Sequence, residues 1–279
     1  MKQKIILVAA LLFIMVLDLS AQSFTIGTFN IRFDNPRDTG NLWVNRAPVV
    51  ANLIRFHDFD IIGIQEGLKN QIDDISAVLP EYARYGIGRD DGKDAGEHSA
   101  IYYLKARFKP LKNGDFWLSE TPDKPGKGWD ATCCNRICSW VYFQDLKTRK
   151  QFYVFNVHFD HQGVVARKES AKLILKKIKE IAGNEPALFT GDLNGGRDTE
   201  WYQEIATSGL LEDVHGKVKY PYENNSSMNG FRTPRGTGVI DHIFMTKQFS
   251  AEKWGILTDT YFGKYPSDHF PVLARVTLK

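Results

Sequence analysis

Polar residues that could bind a cation or handle a proton stand at or near the ends of several hydrophobic segments of this sequence. They are Asn30, Glu66, His158, Asp192, Asn194 and Asp241, together with Asp268 and His269 just before the last apolar segment. A buried carboxylate needs a cation or hydrogen-bonding partners, because an unpaired charge is costly to remove from water. The repeated pattern predicts that these side chains meet at one sheet edge and form a metal-dependent site.

The segments that position these residues have the pattern of β-strands. Phe24–Asn30 alternates β-branched and aromatic residues with period two, and similar strands are predicted at 60–66, 101–103, 139–143, 151–158, 187–192, 239–245 and 270–278. The clearest helix is predicted over 167–182, and Pro48 is predicted to open another through residue 56. The connection 113–136 is rich in Gly, Pro, Lys and Trp, which is typical of a functional loop.

Length and composition indicate an ordinary globular protein. The chain has 279 residues, of which 43% are hydrophobic and 25% charged, so a disordered or fibrous protein is excluded. Its net charge of +3 offers no broad basic surface for nucleic acid, because duplex binding depends strongly on phosphate neutralisation.

The first residues have the features of a secretory signal. Lys2 and Lys4 precede an apolar run over residues 5–17, and Ala21 is a small residue suited to cleavage. We therefore predict a signal peptide at 1–21, cleavage after Ala21, and a periplasmic or secreted domain at 22–279 without stable membrane insertion. The alternative is a membrane anchor, but the run is shorter than the ~20 apolar residues that a spanning helix needs.

The three cysteines lie within six residues of one another. Neighbouring Cys133 and Cys134 are expected to pair rarely, because the ring that such a bond closes is strained. A bridge from Cys138 to either of them, or buried thiols, is the expectation.

Six short motifs occur in one order along the chain and carry a family resemblance. They are TFNIR at 28–32, QE at 65–66, NVH at 156–158, GDLN at 191–194, IDHIF at 240–244 and SDHFPV at 267–272. In this order and spacing the chain resembles the endonuclease/exonuclease/phosphatase superfamily, as an exported bacterial-type member. The resemblance implies a four-layered α/β sandwich in which two mixed β-sheets pack face to face with helices outside.

The resemblance also implies hydrolysis of a phosphoester with a divalent cation, usually Mg²⁺, with Mn²⁺ as a substitute. Glu66 matches the family's principal metal ligand, and Asn30 and Asp268 match further ligands. Hard oxygen donors of this kind suit Mg²⁺. The attack of water is expected to be in line, without a covalent enzyme intermediate.

The remaining motif residues match the family's catalytic groups. His269 matches the catalytic histidine, and Asp241 the carboxylate that orients it. Asp192 would align or deprotonate the attacking water, and Asn194 would hold a phosphate oxygen or orient that water. His158 matches a position that donates a hydrogen bond to the scissile phosphate. Whether such a histidine accepts a proton or stabilises the phosphate as an imidazolium stays open at this point.

Residues that contact the rest of the substrate are harder to identify. Arg136 resembles the family's phosphate-side arginine, and His161 lies close enough to His158 in sequence to line the pocket. Trp129 and Phe231 occupy two long polar connections that are expected to rim the cleft. A small or lipid-derived phosphoester is the favoured substrate, with DNA or RNA cleaved by a secreted nuclease as the alternative.

Two other functions remain as alternatives. A two-metal phosphoesterase would require motifs rich in histidine, such as Asp-x-His and Gly-Asn-His, where this chain has Asn30 and the GDLN motif. A non-catalytic ligand-binding domain on the same scaffold would have no reason to keep every expected catalytic residue type.

Overall fold

Two β-sheets stacked face to face form the centre of the protein, seen in a computed structural model that describes residues 22–233, 236 and 238–279. Within these residues each sheet has six strands and the chain forms four α-helices. The predicted signal peptide and its cleavage site after Ala21 lie outside the described residues.

The elements follow one another in an order that alternates strands with helices. The strands are β1 (Phe24–Asn30), β2 (Ile61–Gly67), β3 (Tyr82–Tyr85), β4 (His98–Leu104), β5 (Phe108–Trp117), β6 (Ile137–Asp145), β7 (Gln151–His158), β8 (Ala187–Asp192), β9 (Glu212–Asp213), β10 (Asp241–Met245), β11 (Phe249–Ile256) and β12 (Val272–Leu278). The helices are α1 (Trp43–Phe56), α2 (Lys69–Val78), α3 (Val164–Ala182) and α4 (Glu200–Ala206).

Each sheet combines one parallel pair with antiparallel neighbours. The first sheet has the order β11-β12-β1-β2-β4-β3, with β1 and β2 parallel, and the second has the order β5-β6-β7-β8-β10-β9, with β7 and β8 parallel. Parallel neighbours present their carboxyl ends at the same edge, so each sheet brings two strand ends together.

The hydrophobic residues form three layers of core. Ile26 and Ile101 of the first sheet pack with Phe143 and Val154 of the second, all of them buried. The outer face of the first sheet is covered by α1 and α2, and that of the second by α3 and α4. The four-layered α/β sandwich that the family resemblance implies is therefore confirmed.

Two predicted helices begin earlier than their sequence patterns indicate. α1 begins at Trp43, so Pro48 lies inside the helix rather than at its first position. Proline at this sixth helical position cannot donate to the Val44 carbonyl oxygen, so the helix lacks that one intrahelical bond. α3 begins at Val164, three residues before the predicted start, because Asp130 from the preceding connection accepts hydrogen bonds from its first-turn N–H groups.

The cysteine pairing differs from the expectation. Cys133 and Cys134 form the disulfide, whereas Cys138 is a buried free thiol. Cys138 lies on β6 and packs into the core beneath α3 and α4, so its sulfur is directed away from the loop that carries the other two. Burial raises the pKa of the Cys138 thiol well above its usual value.

A buried arginine joins the segments that carry two of the motifs. Arg46 of α1 is fully buried, and its guanidinium donates to the carbonyl oxygens of Ile31 at 2.7 Å and Pro266 at 3.0 Å. The same side chain donates to the carbonyl oxygens of Asn41 and Arg32. Arg46 thereby holds the loop after Asn30 against the loop that leads into Asp268.

No helix among the described residues combines the length and the apolar character needed to cross a bilayer.

Candidate active site

The polar residues at the strand ends meet at one edge of the sandwich. His158 at the end of β7 stands beside Asp192 at the end of β8, and Asp192 pairs with Asp241 at the start of β10. The facing sheet supplies Asn30 from the end of β1, whose amide Nδ2 donates to Asp192 Oδ2 at 3.0 Å. The predicted convergence of these strand ends is therefore present in the fold.

Glu66 is directed toward this edge by an irregularity in its strand. The pairing of β2 with β4 shifts register between Ile64 and Gly67, and Glu66 has a positive φ of 63°. A non-glycine residue in this region is strained, and such strain often occurs at functional sites. The Glu66 carboxylate accepts hydrogen bonds from Asn30 Nδ2 at 3.0 Å and from the Phe33 backbone N–H at 3.1 Å.

His269 and Asp241 form a buried imidazole–carboxylate pair. His269 Nδ1 lies 2.9 Å from Asp241 Oδ2, and His269 Nε2 lies 3.9 Å from Asp192 Oδ2. Burial alone would lower the pKa of His269, but the charge and hydrogen bond of Asp241, with further acidic neighbours, raise it well above its usual value. The pair therefore favours a protonated ring whose Nε2 faces the Asp192 carboxylate.

Asp192 is almost fully buried beside the His269–Asp241 pair. Burial raises the pKa of Asp192 to about 7, and the nearby charge of Asp241 adds to the increase, while His269 opposes it. Its Oδ1 accepts a hydrogen bond from the Asn194 backbone N–H at 2.8 Å. These contacts leave Oδ2 at the point where Asn30, His158 and His269 converge.

The side chains at this edge fit a hard divalent cation. Glu66 and Asp268 line the same cavity, and burial raises the pKa of Asp268, to which the negative charge of Glu66 contributes. Ligand atoms of Asp192, Asp241 and His269 also lie within 4.8 Å of one another. Asp241 Oδ1 is buried without a hydrogen-bond partner within the described part of the chain. Clustered carboxylates of this kind are typical of sites for a divalent metal.

A basic wall faces the acidic residues. Arg136 is buried immediately before β6, and its guanidinium lies 3.1 Å from His158 Nδ1, 2.8 Å from His161 Nδ1 and 3.4 Å from Asp160 Oδ2. Burial lowers the pKa of His158 well below its usual value, and the charge of Arg136 adds to this effect. Because a guanidinium only donates, His158 Nδ1 accepts, and its Nε2 carries the proton of the neutral ring toward Asp192 Oδ2 at 3.5 Å.

The two walls enclose a cavity of about 460 Å³. Its lining contains eight of the predicted residues, namely Glu66, Arg136, His158, His161, Asp192, Asn194, Asp268 and His269. Asn30 and Asp241 are fully buried and contact the lining from beneath. A volume of this size suits a small molecule.

Trp129 and Phe231 do not belong to the lining of this cavity among the described residues. The backbone N–H of Trp129 donates to the Glu120 carboxylate at 3.1 Å, and the next residue, Asp130, accepts from the first-turn N–H groups of α3. The ring of Phe231 lies 5.4 Å from the guanidinium carbon of Arg46. Their part in binding substrate stays a prediction that this geometry does not favour.

Several residues that line the cavity do not follow the strand-end pattern. Arg89 and Glu97 lie in the loop between β3 and β4, and Phe33, Met228 and Cys134 come from three other connections. Burial raises the pKa of Glu97 to about 7, although the charge of Arg89 opposes the increase. No periodicity identifies such loop residues. The signal that the sequence offered was the opposite charges of Arg89 and Glu97, eight residues apart.

Comparison with known proteins agrees with this geometry. A profile described as the Endonuclease/Exonuclease/phosphatase family matches residues 27–269. An uncharacterised protein of Acanthamoeba polyphaga mimivirus is 28% identical over 243 residues, which cover 83% of this chain and 91% of that protein.

Two solved structures from Bacteroides thetaiotaomicron are similar over almost their whole length. One is an endonuclease/exonuclease/phosphatase family protein with 43% identity and a TM-score of 0.90, covering 92% of this chain and 96% of its own. The other is a mannosyl-6-phosphatase with 43% identity and a TM-score of 0.89, covering 91% of this chain and 99% of its own.

Proposed function

The chain belongs to the endonuclease/exonuclease/phosphatase family of phosphoester hydrolases, and from this premise we propose that it is an exported, Mg²⁺-dependent enzyme that hydrolyses a small sugar phosphate. The observation that carries the proposal is the buried His269–Asp241 pair, which faces Asp192 across the cavity that Glu66 and Asp268 also line.

The proposed metal position is formed by Glu66, Asp268 and the amide oxygen of Asn30. Carboxylate and amide oxygens are the donors that Mg²⁺ prefers, and Mn²⁺ accepts the same set. When bound, such an ion polarises the phosphoryl oxygens and offsets the negative charge that develops in the transition state. Asn30 would serve two roles, since it also contacts Glu66 and Asp192.

The chain's own groups would then align water and hold the phosphate. Asp192 accepts a hydrogen bond from the attacking water, while Asp241 keeps the His269 ring oriented so that Nε2 can exchange a proton in the cavity. Asn194, His158 and Arg136 present N–H groups to phosphate oxygens on the opposite wall. Attack by water in line with the leaving group needs no covalent intermediate.

Three observations favour a small phosphoester over long nucleic acid. The similar mannosyl-6-phosphatase acts on a sugar phosphate, the cavity holds about 460 Å³, and the net charge of the chain is only +3. A polymeric substrate gains much of its affinity from many phosphate contacts, which a nearly neutral surface supplies poorly.

Metal removal tests the core of this proposal. Hydrolysis of mannose 6-phosphate by the purified protein is expected to stop after exhaustive treatment with EDTA and to return when Mg²⁺ or Mn²⁺ is added in excess. Activity that survives complete chelation would disprove the metal dependence. Cleavage of DNA or RNA without turnover of any sugar phosphate would favour the nuclease, and binding without turnover would favour a non-catalytic domain.

Export is a separate part of the proposal, supported by the basic and apolar residues of the segment 1–21. Mass spectrometry of the protein recovered from a periplasmic or culture fraction is expected to give a mature chain that begins at Gln22. Recovery of the intact chain with Met1 in the membrane fraction would instead indicate an anchor.

A further inference from the structure

An ion pair on the wall beside His158 has no part in the catalytic roles described above. Arg89 donates to both oxygens of the Glu97 carboxylate, at 2.8 Å to Oε1 and 2.5 Å to Oε2. The side chains are only 11% and 15% exposed, and both line the active-site cavity and the recess at its inner end. A buried ion pair contributes little to stability, because the cost of removing both charges from water offsets their attraction. Stability alone therefore gives no reason for this pair.

The backbone around the pair is firmly held. The Arg89 N–H donates to the Glu97 carbonyl at 3.0 Å, and the Arg89 carbonyl accepts from Trp117 Nε1 at 2.7 Å. Gly88 permits this tight return of the chain, because a Cβ atom there would lie 2.3 Å from the carbonyl oxygen of Ala95. The two side chains are therefore preorganised parts of the cavity wall rather than mobile surface groups.

The pair lies next to the groups proposed to hold phosphate. Glu97 Oε2 is 3.8 Å from His158 Nδ1, and Arg136 contacts the same imidazole nitrogen from its own side. Arg89 Nε is buried and has no hydrogen-bond partner in the described ranges of the chain. A substrate whose phosphate reached His158 would bring its adjoining atoms to Arg89 and Glu97.

The charges of this pair are matched to a neutral polar ligand. An unpaired arginine would attract a phosphate, but the Glu97 carboxylate cancels that charge and repels an anion. The Arg89 guanidinium has N–H groups that Glu97 does not use, and the Glu97 carboxylate has lone pairs that Arg89 does not use. Hydroxyl groups both donate and accept, so neighbouring hydroxyls of a sugar complement both partners.

We propose that Arg89 and Glu97 form the subsite that binds sugar hydroxyl groups of the leaving group, and so select a sugar phosphate over a phosphoester without hydroxyls. This inference rests on the proposed function of the same cavity.

The test compares two phosphate monoesters in the presence of Mg²⁺. Mannose 6-phosphate carries sugar hydroxyls, whereas phenyl phosphate carries none. For the variant Glu97→Gln and the double variant Arg89→Met/Glu97→Gln, the ratio of kcat/KM for mannose 6-phosphate to that for phenyl phosphate is expected to fall about tenfold or more, mainly through KM for the sugar phosphate. Glu97→Gln retains a hydrogen-bonding side chain of the same size and carries the test if the double variant is unfolded by thermal melting.

A second arginine–glutamate pair provides a matched control. Arg55 donates to both oxygens of Glu81 on the surface, outside the active-site lining, so Arg55→Met/Glu81→Gln is expected to keep the wild-type ratio. Equal losses on both substrates in the Glu97 variants would overturn the inference, because the pair would then act through His158 or the phosphate. A wild type that hydrolyses phenyl phosphate but shows no preference for the sugar ester would overturn it while leaving the phosphohydrolase function intact. Hydrolysis of neither compound would overturn the proposed function together with this inference.

Discussion

Replacing His269 by alanine is expected to lower kcat on mannose 6-phosphate by about 10³-fold, near the middle of the range for a positioned acid–base group. The physical reason is that no other imidazole has its place: Nε2 faces Asp192 Oδ2 at 3.9 Å, and Nδ1 is held by Asp241 at 2.9 Å. Asp241→Asn is expected to lower kcat by about 10²-fold or more, because an amide no longer stabilises the charged ring or selects its tautomer. Steady-state kinetics at saturating Mg²⁺ measure both effects.

A second imidazole–carboxylate pair outside the cavity provides the control. His57 Nε2 lies 3.0 Å from Asp259 Oδ2, and neither residue lines the active-site cavity. His57→Ala is expected to keep wild-type kcat and KM. If His269→Ala, folded as judged by circular dichroism, turned over substrate at near the wild-type rate, the assignment of the catalytic imidazole would be wrong.

The change Glu66→Gln is expected to weaken Mn²⁺ binding and to lower kcat/KM by about 10³-fold. The reason is that a bound metal stabilises the charge of the transition state by several kcal/mol, which corresponds to several powers of ten in kcat/KM. The loss of a direct carboxylate ligand should exceed the roughly 10–100-fold fall in metal affinity that follows loss of an outer partner. Glutamine keeps the size of the side chain and its contact with Asn30, so the fold should persist. Isothermal titration with Mn²⁺ measures the binding directly, independent of turnover.

The matched control for this change is Glu212→Gln, a surface carboxylate paired with Lys217 at 2.7 Å. It is expected to bind Mn²⁺ and hydrolyse substrate like the wild type. Unchanged Mn²⁺ affinity in Glu66→Gln would show that the ion binds elsewhere, for example among Asp192, Asp241 and His269, whose ligand atoms lie within 4.8 Å of one another.

Much of the fold and of the acidic half of the site could be predicted from local sequence. Strand periodicity identifies the segments that end at Asn30, His158 and Asp192, because a strand buried on both faces leaves a long apolar run, and each run ends at a polar residue. Once the family resemblance assigns these strands to two packed sheets, the meeting of their polar ends follows from parallel pairing.

The Glu66 position shows where such reasoning stops. The pattern places a carboxylate at the end of β2, but its direction depends on a register shift against β4 and on a positive φ of 63°. Both result from contacts with a strand more than thirty residues away in the chain. The residues next to Glu66 in the sequence indicate neither the register shift nor the positive φ.

The opposite wall depends almost wholly on long-range contacts. Arg89 and Glu97 enter the cavity because their loop is anchored by Trp117. Trp129 is kept out of the lining because its own N–H is bonded to Glu120 and the neighbouring Asp130 is bonded to α3. Residue type and periodicity report whether a segment is buried and what chemistry it can perform. Which loop residues share a cavity is set by packing between distant segments, since loops have no period that specifies their direction.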